Sequence, residues 1–222
     1  MVIAIDGPAG SGKSTIAKML AEKLKDREGN SFNYINSGKI YRALTFACLR
    51  EGIDPIDAPK VTAFAQKANV KYHNDRVILN NEDITDKLHT DEIDRFSAPL
   101  SAIVPVRRIV NDFIRKISNE INVVVEGRDM TTIVFPKAEF RFYLDASVES
   151  RAKRRFLQGV SQLSLEDIKK AIIERDEIDK NKEEGSLFLG DNVIFIDTSG
   201  LTINQVYGKL EEIIMLDNQG QG

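Results

Sequence analysis

A glycine-rich stretch near the start of the chain has the residue types and spacing of a phosphate-binding loop. The pattern G-x-x-x-x-G-K-[ST] is matched at every fixed position by Gly7-Pro8-Ala9-Gly10-Ser11-Gly12-Lys13-Ser14. Glycines let the backbone turn around an anion, and a helix starting there adds the positive end of its dipole. Residues 7–15, which end at Thr15, are therefore predicted to bind a nucleoside triphosphate. Lys13 would reach the β- and γ-phosphates, and the Ser14 hydroxyl would ligate Mg²⁺.

Apolar patterns on either side of this loop predict a buried strand and then a helix. Val2–Ile5 is a continuous apolar run, whereas Ile16, Met19, Leu20 and Leu24 recur at the spacing of one helix face. Further strand-like runs occupy residues 32–35, 123–125, 140–144 and 193–196. Five short strands alternating with helices predict an α/β, three-layer P-loop fold with a five-stranded parallel sheet.

Two regions depart from this alternation. Val70–His73 and Val77–Leu79 flank Asn74-Asp75-Arg76, a pattern typical of a hairpin, so residues 55–91 are interpreted as an insertion with a small antiparallel sheet. Residues 147–184 are charged and helical, with a helix start at Ser164, and are interpreted as a short lid. The remaining core segments of a single domain spanning 1–222 would be residues 1–54, 92–146 and 186–216.

Composition narrows the classes of protein to be considered. Lys and Arg total 31 against 34 Asp and Glu, a formal charge of −3, which disfavours broad binding to nucleic acid. Cys48 is the only cysteine, so an intrachain disulfide is excluded. The run Val2–Ile5 is too short for a signal peptide, and no stretch has the roughly 20 apolar residues of a membrane span. We expect a cytoplasmic monomer without membrane partners.

Arginines recur at places where a sheet protein binds anionic ligands. Arg42 follows the second predicted strand and Arg128 the third, so both are expected at the carboxyl edge of the sheet. Arg151, Arg154 and Arg155 form a basic cluster in the predicted lid. The spacing i, i+4, i+7 predicts that one helix face carries Arg175, Asp179 and Lys182.

Four stretches of the sequence carry a more specific resemblance, which runs from about Val2 to Met215. They are residues 5–14, Ser37-Gly38-Lys39-Ile40-Tyr41-Arg42, the segment from Glu126-Gly127-Arg128-Asp129-Met130 to Val134-Phe135-Pro136, and Glu174-Arg175-Asp176 with Asp179. In these stretches the chain resembles bacterial cytidylate kinases, which are P-loop nucleoside monophosphate kinases. The resemblance implies ATP with Mg²⁺ as the phosphoryl donor, and CMP or dCMP as the acceptor.

The resemblance also implies roles for individual residues. The implied catalytic groups are Lys13, Arg128, Arg151, Arg154 and Arg155. The implied substrate site comprises Ser37 with Arg42 and Arg128 at the acceptor phosphate, Arg175 and Asp179 at the ribose, Arg107 and Asp129 at the cytosine, and also Tyr41, Gly127 and Lys182. No general base is expected, because a phosphate oxygen with a second pKa of about 6 is already largely ionised near neutral pH.

Two departures from the family pattern leave alternatives open. Ala98 stands where the family has Ser, so Ser97 or Ser101 would have to supply the hydroxyl. Lys182 stands where the family usually has Arg, and lysine lacks the bidentate fork. A kinase for UMP or a non-nucleotide metabolite is therefore an alternative. A non-enzymatic nucleotide switch is a second one, although it leaves the arginines after the strands unexplained.

Overall fold

A parallel sheet with helices on both faces forms the centre of the molecule. The computed structural model describes residues 1–26, 28–73, 75–119, 121–159 and 163–220, with side chains described up to 216. The strands and α-helices, in chain order, are β1 (Val2–Asp6), α1 (Lys13–Lys23), β2 (Asn33–Asn36), α2 (Ser37–Arg50), α3 (Ala58–Ala65), β3 (Val70–His73), β4 (Arg76–Leu79), β5 (Glu82–Asp83), α4 (Asp91–Ala102), α5 (Val104–Ile117), β6 (Val123–Gly127), β7 (Phe140–Asp145), α6 (Val148–Leu157), α7 (Leu165–Lys180), β8 (Ile194–Asp197) and α8 (Ile203–Gly220).

The central sheet has the order β2-β6-β1-β7-β8 and all of its pairings are parallel. Residues alternate between the two faces, so that Ile3 packs toward α1 and α8 while Ala4 packs toward α2 and α5. Because helices cover both faces, the inner strands are mostly apolar, and this is why apolar runs identified them. The predicted five-stranded parallel sheet and three-layer fold are confirmed.

The predicted insertion contains a small antiparallel sheet of three strands, β3-β4-β5. Val77 and Leu79 of β4 are fully buried with Ala43 and Ala47 of α2, which attaches this sheet to the core. The hairpin of β3 and β4 is confirmed, although Asn74 of its predicted turn lies outside the described residues. The strand β5 was not predicted, because its two acidic residues have no alternating pattern.

The segment interpreted as a lid contains two helices, α6 and α7, and its residues 160–162 lie outside the described part of the chain. The Ser164 side chain caps α7 by accepting from the backbone N–H of Asp167. That helix ends at Lys180, so the prediction that Lys182 continues the face of Arg175 and Asp179 is wrong. The Asn181 side chain donates to the Glu177 carbonyl at 2.8 Å, and α7 does not continue beyond this residue, which is its C-cap.

Cys48, the single cysteine, lies on α2 in the core beneath the sheet. Burial raises the pKa of its thiol to about 11. Within the described ranges, none of the helices is both long and apolar enough to cross a bilayer.

Candidate active site

One cavity at the carboxyl edge of the sheet collects most of the residues predicted from the sequence. Of those residues, its lining includes Ala9, Gly10, Lys13, Ser14, Ser37, Tyr41, Arg42, Arg107, Gly127, Arg128, Asp129, Arg155, Arg175, Asp179 and Lys182. The others, outside this lining, are Gly7, Pro8, Ser11, Gly12, Thr15, Arg151 and Arg154. Among the described residues, eight Lys or Arg side chains line the cavity against three Asp or Glu. A chain with a net negative charge thus concentrates positive charge here, as a site for anionic ligands requires.

The phosphate-binding loop has the conformation that its glycines predict. Gly7 has φ +145° and Gly12, the N-cap of α1, has φ +97°. A Cβ at Gly7 would collide with the Leu144 carbonyl oxygen, so only glycine lets this loop pass β7. The loop then delivers its N–H groups and the start of α1 to the cavity.

Lys13 occupies the mouth of that loop with its ammonium group buried. Its Nζ donates to the Pro8 carbonyl at 2.7 Å and lies 3.5 Å from Ser11 Oγ. Burial, with repulsion from Arg128, lowers the pKa of Lys13 to about 7. A bound polyanion would favour the charged form again. Ser14, one residue on, presents an exposed side chain to the cavity, where its hydroxyl can ligate a cation.

Asp179 holds two cations together on the opposite wall. Arg128 Nε donates to Asp179 Oδ2 at 2.6 Å, and Lys182 Nζ donates to Asp179 Oδ1 at 2.6 Å. Arg175 Nε is 4.0 Å from the same carboxylate. These cations hold the pKa of Asp179 far below its ordinary value, even though burial works in the opposite direction.

Arg107 and Asp129 form a buried ion pair beside this group. Arg107 Nη1 also donates to the Ser101 carbonyl at 2.8 Å, and the guanidinium carbon is 5.7 Å from the centre of the Tyr41 ring. Among the described residues, Arg107 Nε has no hydrogen-bond partner although it is buried. The pair therefore offers both a donor and an acceptor to a planar polar ligand.

Asp94 of α4 binds two of the arginines expected at phosphates. It pairs with Arg42 of α2 and accepts from Arg155 Nη2 of α6 at 2.6 Å. Sequence reasoning missed Asp94, because three acidic residues open α4 and such residues ordinarily serve the helix start. Spacing in the sequence carries no signal that one of them faces two arginines.

The other two lid arginines contact the phosphate-binding loop from outside the cavity. Arg151 donates to the Ala9 carbonyl at 3.1 Å and forms a buried ion pair with Asp176 at 2.6 Å. Arg154 donates to the Ser11 carbonyl at 3.3 Å and to Thr198 Oγ1 at 3.0 Å. Of the three arginines of α6, Arg155 is thus the one that lines the cavity.

The direction of α4 determines which of the side chains near Ala98 face the candidate active site. Ala98 lines a second cavity, between α4 and α7, whereas Ser97 and Ser101 line the first. Lys182 Nζ donates to Ser101 Oγ at 2.9 Å, a contact that the sequence analysis did not predict. The Lys182 side chain reaches it from beyond the end of α7.

Asp6 connects the first strand to the segment after β6. Its carboxylate accepts from the backbone N–H groups of Met130 at 2.9 Å and Thr131 at 2.7 Å, and from Thr131 Oγ1 at 2.6 Å. Burial raises the pKa of Asp6 to about 6, although the bonds from Thr131 oppose this. The turn at Met130–Val134 is thereby fixed directly behind Arg128 and Asp129.

The sequence of the chain matches those of known proteins of one family. A family model described as Cytidylate kinase matches residues 3–216. The chain belongs to the cytidylate kinase family. It is 37% identical over 217 residues to a cytidylate kinase of Clostridioides difficile (strain 630), covering 96% of both chains. It is 39% identical over 211 residues to one of Borrelia duttonii (strain Ly), covering 93% of this chain and 94% of the relative.

Solved structures agree with the fold of this family member. A shikimate kinase from Bacteroides thetaiotaomicron has a TM-score of 0.50 at 12% identity, covering 97% of this chain and 98% of its own. An uncharacterized protein from Eubacterium ventriosum ATCC 27560 has a TM-score of 0.53 at 13% identity, covering 96% and 98%. At such low identity these likenesses concern the fold alone. The chain is thus a phosphotransferase of the cytidylate kinase family with a P-loop kinase fold.

Proposed function

We propose that this chain transfers the γ-phosphoryl group of MgATP to CMP, and also to dCMP, giving CDP or dCDP and ADP. The observation that carries the proposal is the Arg107–Asp129 pair in the same cavity as Lys13 and Arg128. A kinase with two nucleotide substrates needs polar groups for a base, a cation for the donor phosphates and a cation for the acceptor phosphate, all close together. Membership of the cytidylate kinase family names cytidylate as the acceptor.

The donor half of the site is proposed to bind ATP through the phosphate-binding loop. Backbone N–H groups of residues 7–15 would hold the phosphates, and Lys13 would neutralise the charge of the transferring group. Mg²⁺ fits the donor set, because it needs few protein oxygens beside the phosphates of the nucleotide, and Ser14 supplies one at the start of α1. When bound, the ion would neutralise charge on the β- and γ-phosphates.

The acceptor half is proposed to bind CMP along the opposite wall. Arg42 and Arg128 would hold its phosphate near Ser37, and Arg175 with Asp179 would contact the ribose. Asp129 would accept from the cytosine amino group while Arg107 donates to ring acceptors, beside Tyr41 and Gly127. An ionised acceptor oxygen needs no base, so positioning and charge neutralisation suffice.

Lid residues are proposed to complete the site around the transferring phosphoryl group. Arg155 already lines the cavity, and it would exchange Asp94 for phosphate when both nucleotides bind. Arg151 and Arg154 would act from the loop side, where they contact the Ala9 and Ser11 carbonyls. Excluding water in this state strengthens each charge interaction and limits hydrolysis of ATP.

The test is ADP release from MgATP with CMP, dCMP, UMP, AMP and GMP offered separately. We expect rapid turnover with CMP and dCMP only. Arg128→Met should lower kcat/KM for CMP by about a hundredfold or more, since an electrostatic contact to the acceptor phosphate beside the transferring group is lost. Arg108→Met is the matched control, because Arg108 is exposed and pairs with Glu184 outside the cavity. ATP hydrolysis at the same rate with and without any acceptor would contradict the proposal.

A further inference from the structure

Lys39 is a cavity-lining lysine without a role in the proposed function. It lies in the first turn of α2, its side chain is 13% exposed, and it lines the cavity together with Ser37 and Arg42. The first turn of a helix is the positive end of its dipole, where a cation is unfavourable, and α2 has no acidic residue there. A lysine at this position therefore needs an anion from another part of the chain or from a ligand.

The hairpin of the insertion supplies one such anion, the carboxylate of Asp75 between β3 and β4. Lys39 Nζ donates to Asp75 Oδ1 at 2.5 Å and to the Asp75 backbone carbonyl at 3.0 Å. These two bonds fix the position of the ammonium group. Because an ammonium group has three protons, one donor is left for a ligand in the cavity.

Asp75 cannot neutralise all of the positive charge around it. Its Oδ2 also pairs with Lys18 Nζ of α1 at 2.8 Å, so two lysines share one carboxylate and one positive charge is left over. The Lys18 side chain is half-exposed and outside the cavity lining, so water stabilises its charge. The Lys39 ammonium has little contact with water and depends more on a second anion.

Lys39 lies on the same wall of the cavity as two arginines that are proposed to bind phosphates. Lys39 and Arg42 are three residues apart on α2 and therefore share a face of this helix. Burial lowers the pKa of His89, which also lines the cavity, and Arg42 lowers it further although Asp94 opposes this. Lys39 and Arg155 lower the same pKa. One imidazole is thus influenced by three cations, which makes this wall a place for a strongly charged anion.

We propose that Lys39 donates its third proton to the phosphate group of the acceptor nucleotide and holds this group beside Arg42. The inference rests on the proposed function, which it deepens by naming a further phosphate-binding residue. A phosphate monoester carries about 1.5 to 2 negative charges at pH 7, so it can pair with Lys39 in addition to an arginine. The insertion takes part in binding, since its Asp75 carboxylate fixes the ammonium group.

The experiment compares CMP with cytidine, which has the same base and ribose but no phosphate. Calorimetric titration gives the dissociation constant of CMP, and displacement of CMP gives that of cytidine. Lys39→Met should weaken CMP binding about tenfold or more, the value of a hydrogen bond to a charged group, and leave cytidine binding unchanged. Both constants describe folded molecules only, so partial unfolding of a variant does not alter the comparison.

Lys39→Gln separates the contact with phosphate from the attachment of the insertion. Its amide can still donate to Asp75 but carries no charge. This variant should weaken CMP binding by roughly threefold or more, because a neutral donor forms a hydrogen bond about half as strong as a charged one. Cytidine binding should again stay at the value of the wild type.

Lys18→Met is the matched control, because Lys18 pairs with the same carboxylate from outside the cavity lining. It should leave both dissociation constants within about twofold of the wild type. Unchanged CMP binding in Lys39→Met, equal losses for CMP and cytidine, or the same loss in Lys18→Met would overturn the inference alone. Lys39 would then only anchor the insertion. A wild type that neither binds nor phosphorylates CMP would overturn the proposed function and the inference with it.

Discussion

Asp179 is the carboxylate that the buried Lys182 and the partly buried Arg128 share in the free protein. Arg128 and Lys182 each donate to it at 2.6 Å, and its side chain is 2% exposed. Asp179→Asn keeps the shape but leaves the buried Lys182 and the partly buried Arg128 without this anion, which should lower the free energy of unfolding by about 3–5 kcal/mol. Urea denaturation at pH 7 measures this. Asp112→Asn, the same substitution at an exposed position of α5, should cost about 0.5 kcal/mol or less.

The sign of the pH dependence follows from the direction of the same pKa shift. Because the pKa of Asp179 is depressed in the folded state, its contribution to stability is present above its unfolded value of 3.8 and is lost as the pH falls further. The wild type and Asp179→Asn should therefore converge in stability under acidic conditions. A difference that stayed constant down to the acid transition would show that the carboxylate contributes by packing rather than by charge.

Lys13 should take up a proton when ATP binds. Burial lowers the pKa of the free Lys13 to about 7, so at pH 8 most molecules carry the neutral amine. Phosphate oxygens favour the ammonium form and should raise this pKa again. Calorimetric titration at pH 8 in two buffers with different ionisation enthalpies should reveal uptake of most of one proton. Equal binding enthalpies in the two buffers would contradict the lowered pKa.

Among elements, the turn at Met130–Val134 depends on its attachment to β1. Thr131 Oγ1 donates to the buried Asp6 carboxylate, so Thr131→Val should lower the free energy of unfolding by about 1.5–3 kcal/mol at pH 7.5. The pKa of Asp6 is raised to about 6, so below that pH its carboxyl is protonated and the cost should shrink. Thermal denaturation at pH 5 and pH 7.5 compares the two conditions.

Thr132→Val is the control for that turn. Among the described residues, the buried Thr132 Oγ1 has no hydrogen-bond partner, so replacing its hydroxyl by a methyl group should be nearly neutral or slightly stabilising. If both variants lost the same stability at both pH values, the loss would come from the shape of the turn. The bond to Asp6 would then be a minor contributor.

The elements that sequence reasoning found are those whose pattern is set by burial. The run Val123–Val125 predicted β6 because both sheet faces are covered, and the glycines predicted the loop because their φ angles require them. The end of α7 was missed because it depends on the Asn181 side chain turning back to Glu177. For a similar reason, the sequence did not predict which groups Arg151 and Arg155 contact. Which arginine faces the cavity follows from how α6 packs on the loop, a tertiary contact without a sequence period.

At the scale of the whole molecule, Asp94 joins three parts of the fold. From α4 it binds Arg42 of α2 and Arg155 of α6, and so occupies two of the guanidinium groups that are proposed to bind phosphates. Asp94→Asn removes this competitor, so KM for CMP should fall roughly three- to tenfold, from about 1 kcal/mol of ion-pair free energy. Steady-state kinetics at low ionic strength gives the largest effect.

Asp91→Asn provides the comparison for this change. Asp91 is exposed in the same first turn of α4, so its variant alters the charge at the helix start without freeing an arginine and should leave KM for CMP unchanged. If Asp94→Asn raised KM instead, the carboxylate would orient Arg42 for the acceptor and not compete with it.

The inaccessible thiol of Cys48 makes the chain suitable for site-specific labelling. The thiolate is the reactive form, and burial with a pKa raised to about 11 leaves almost none of it available to a maleimide dye at neutral pH. Cysteines introduced at exposed positions of the lid and the insertion would then be the only labelled sites. Fluorescence energy transfer between two such dyes could follow the separation of these parts, one molecule at a time, without first removing the native residue.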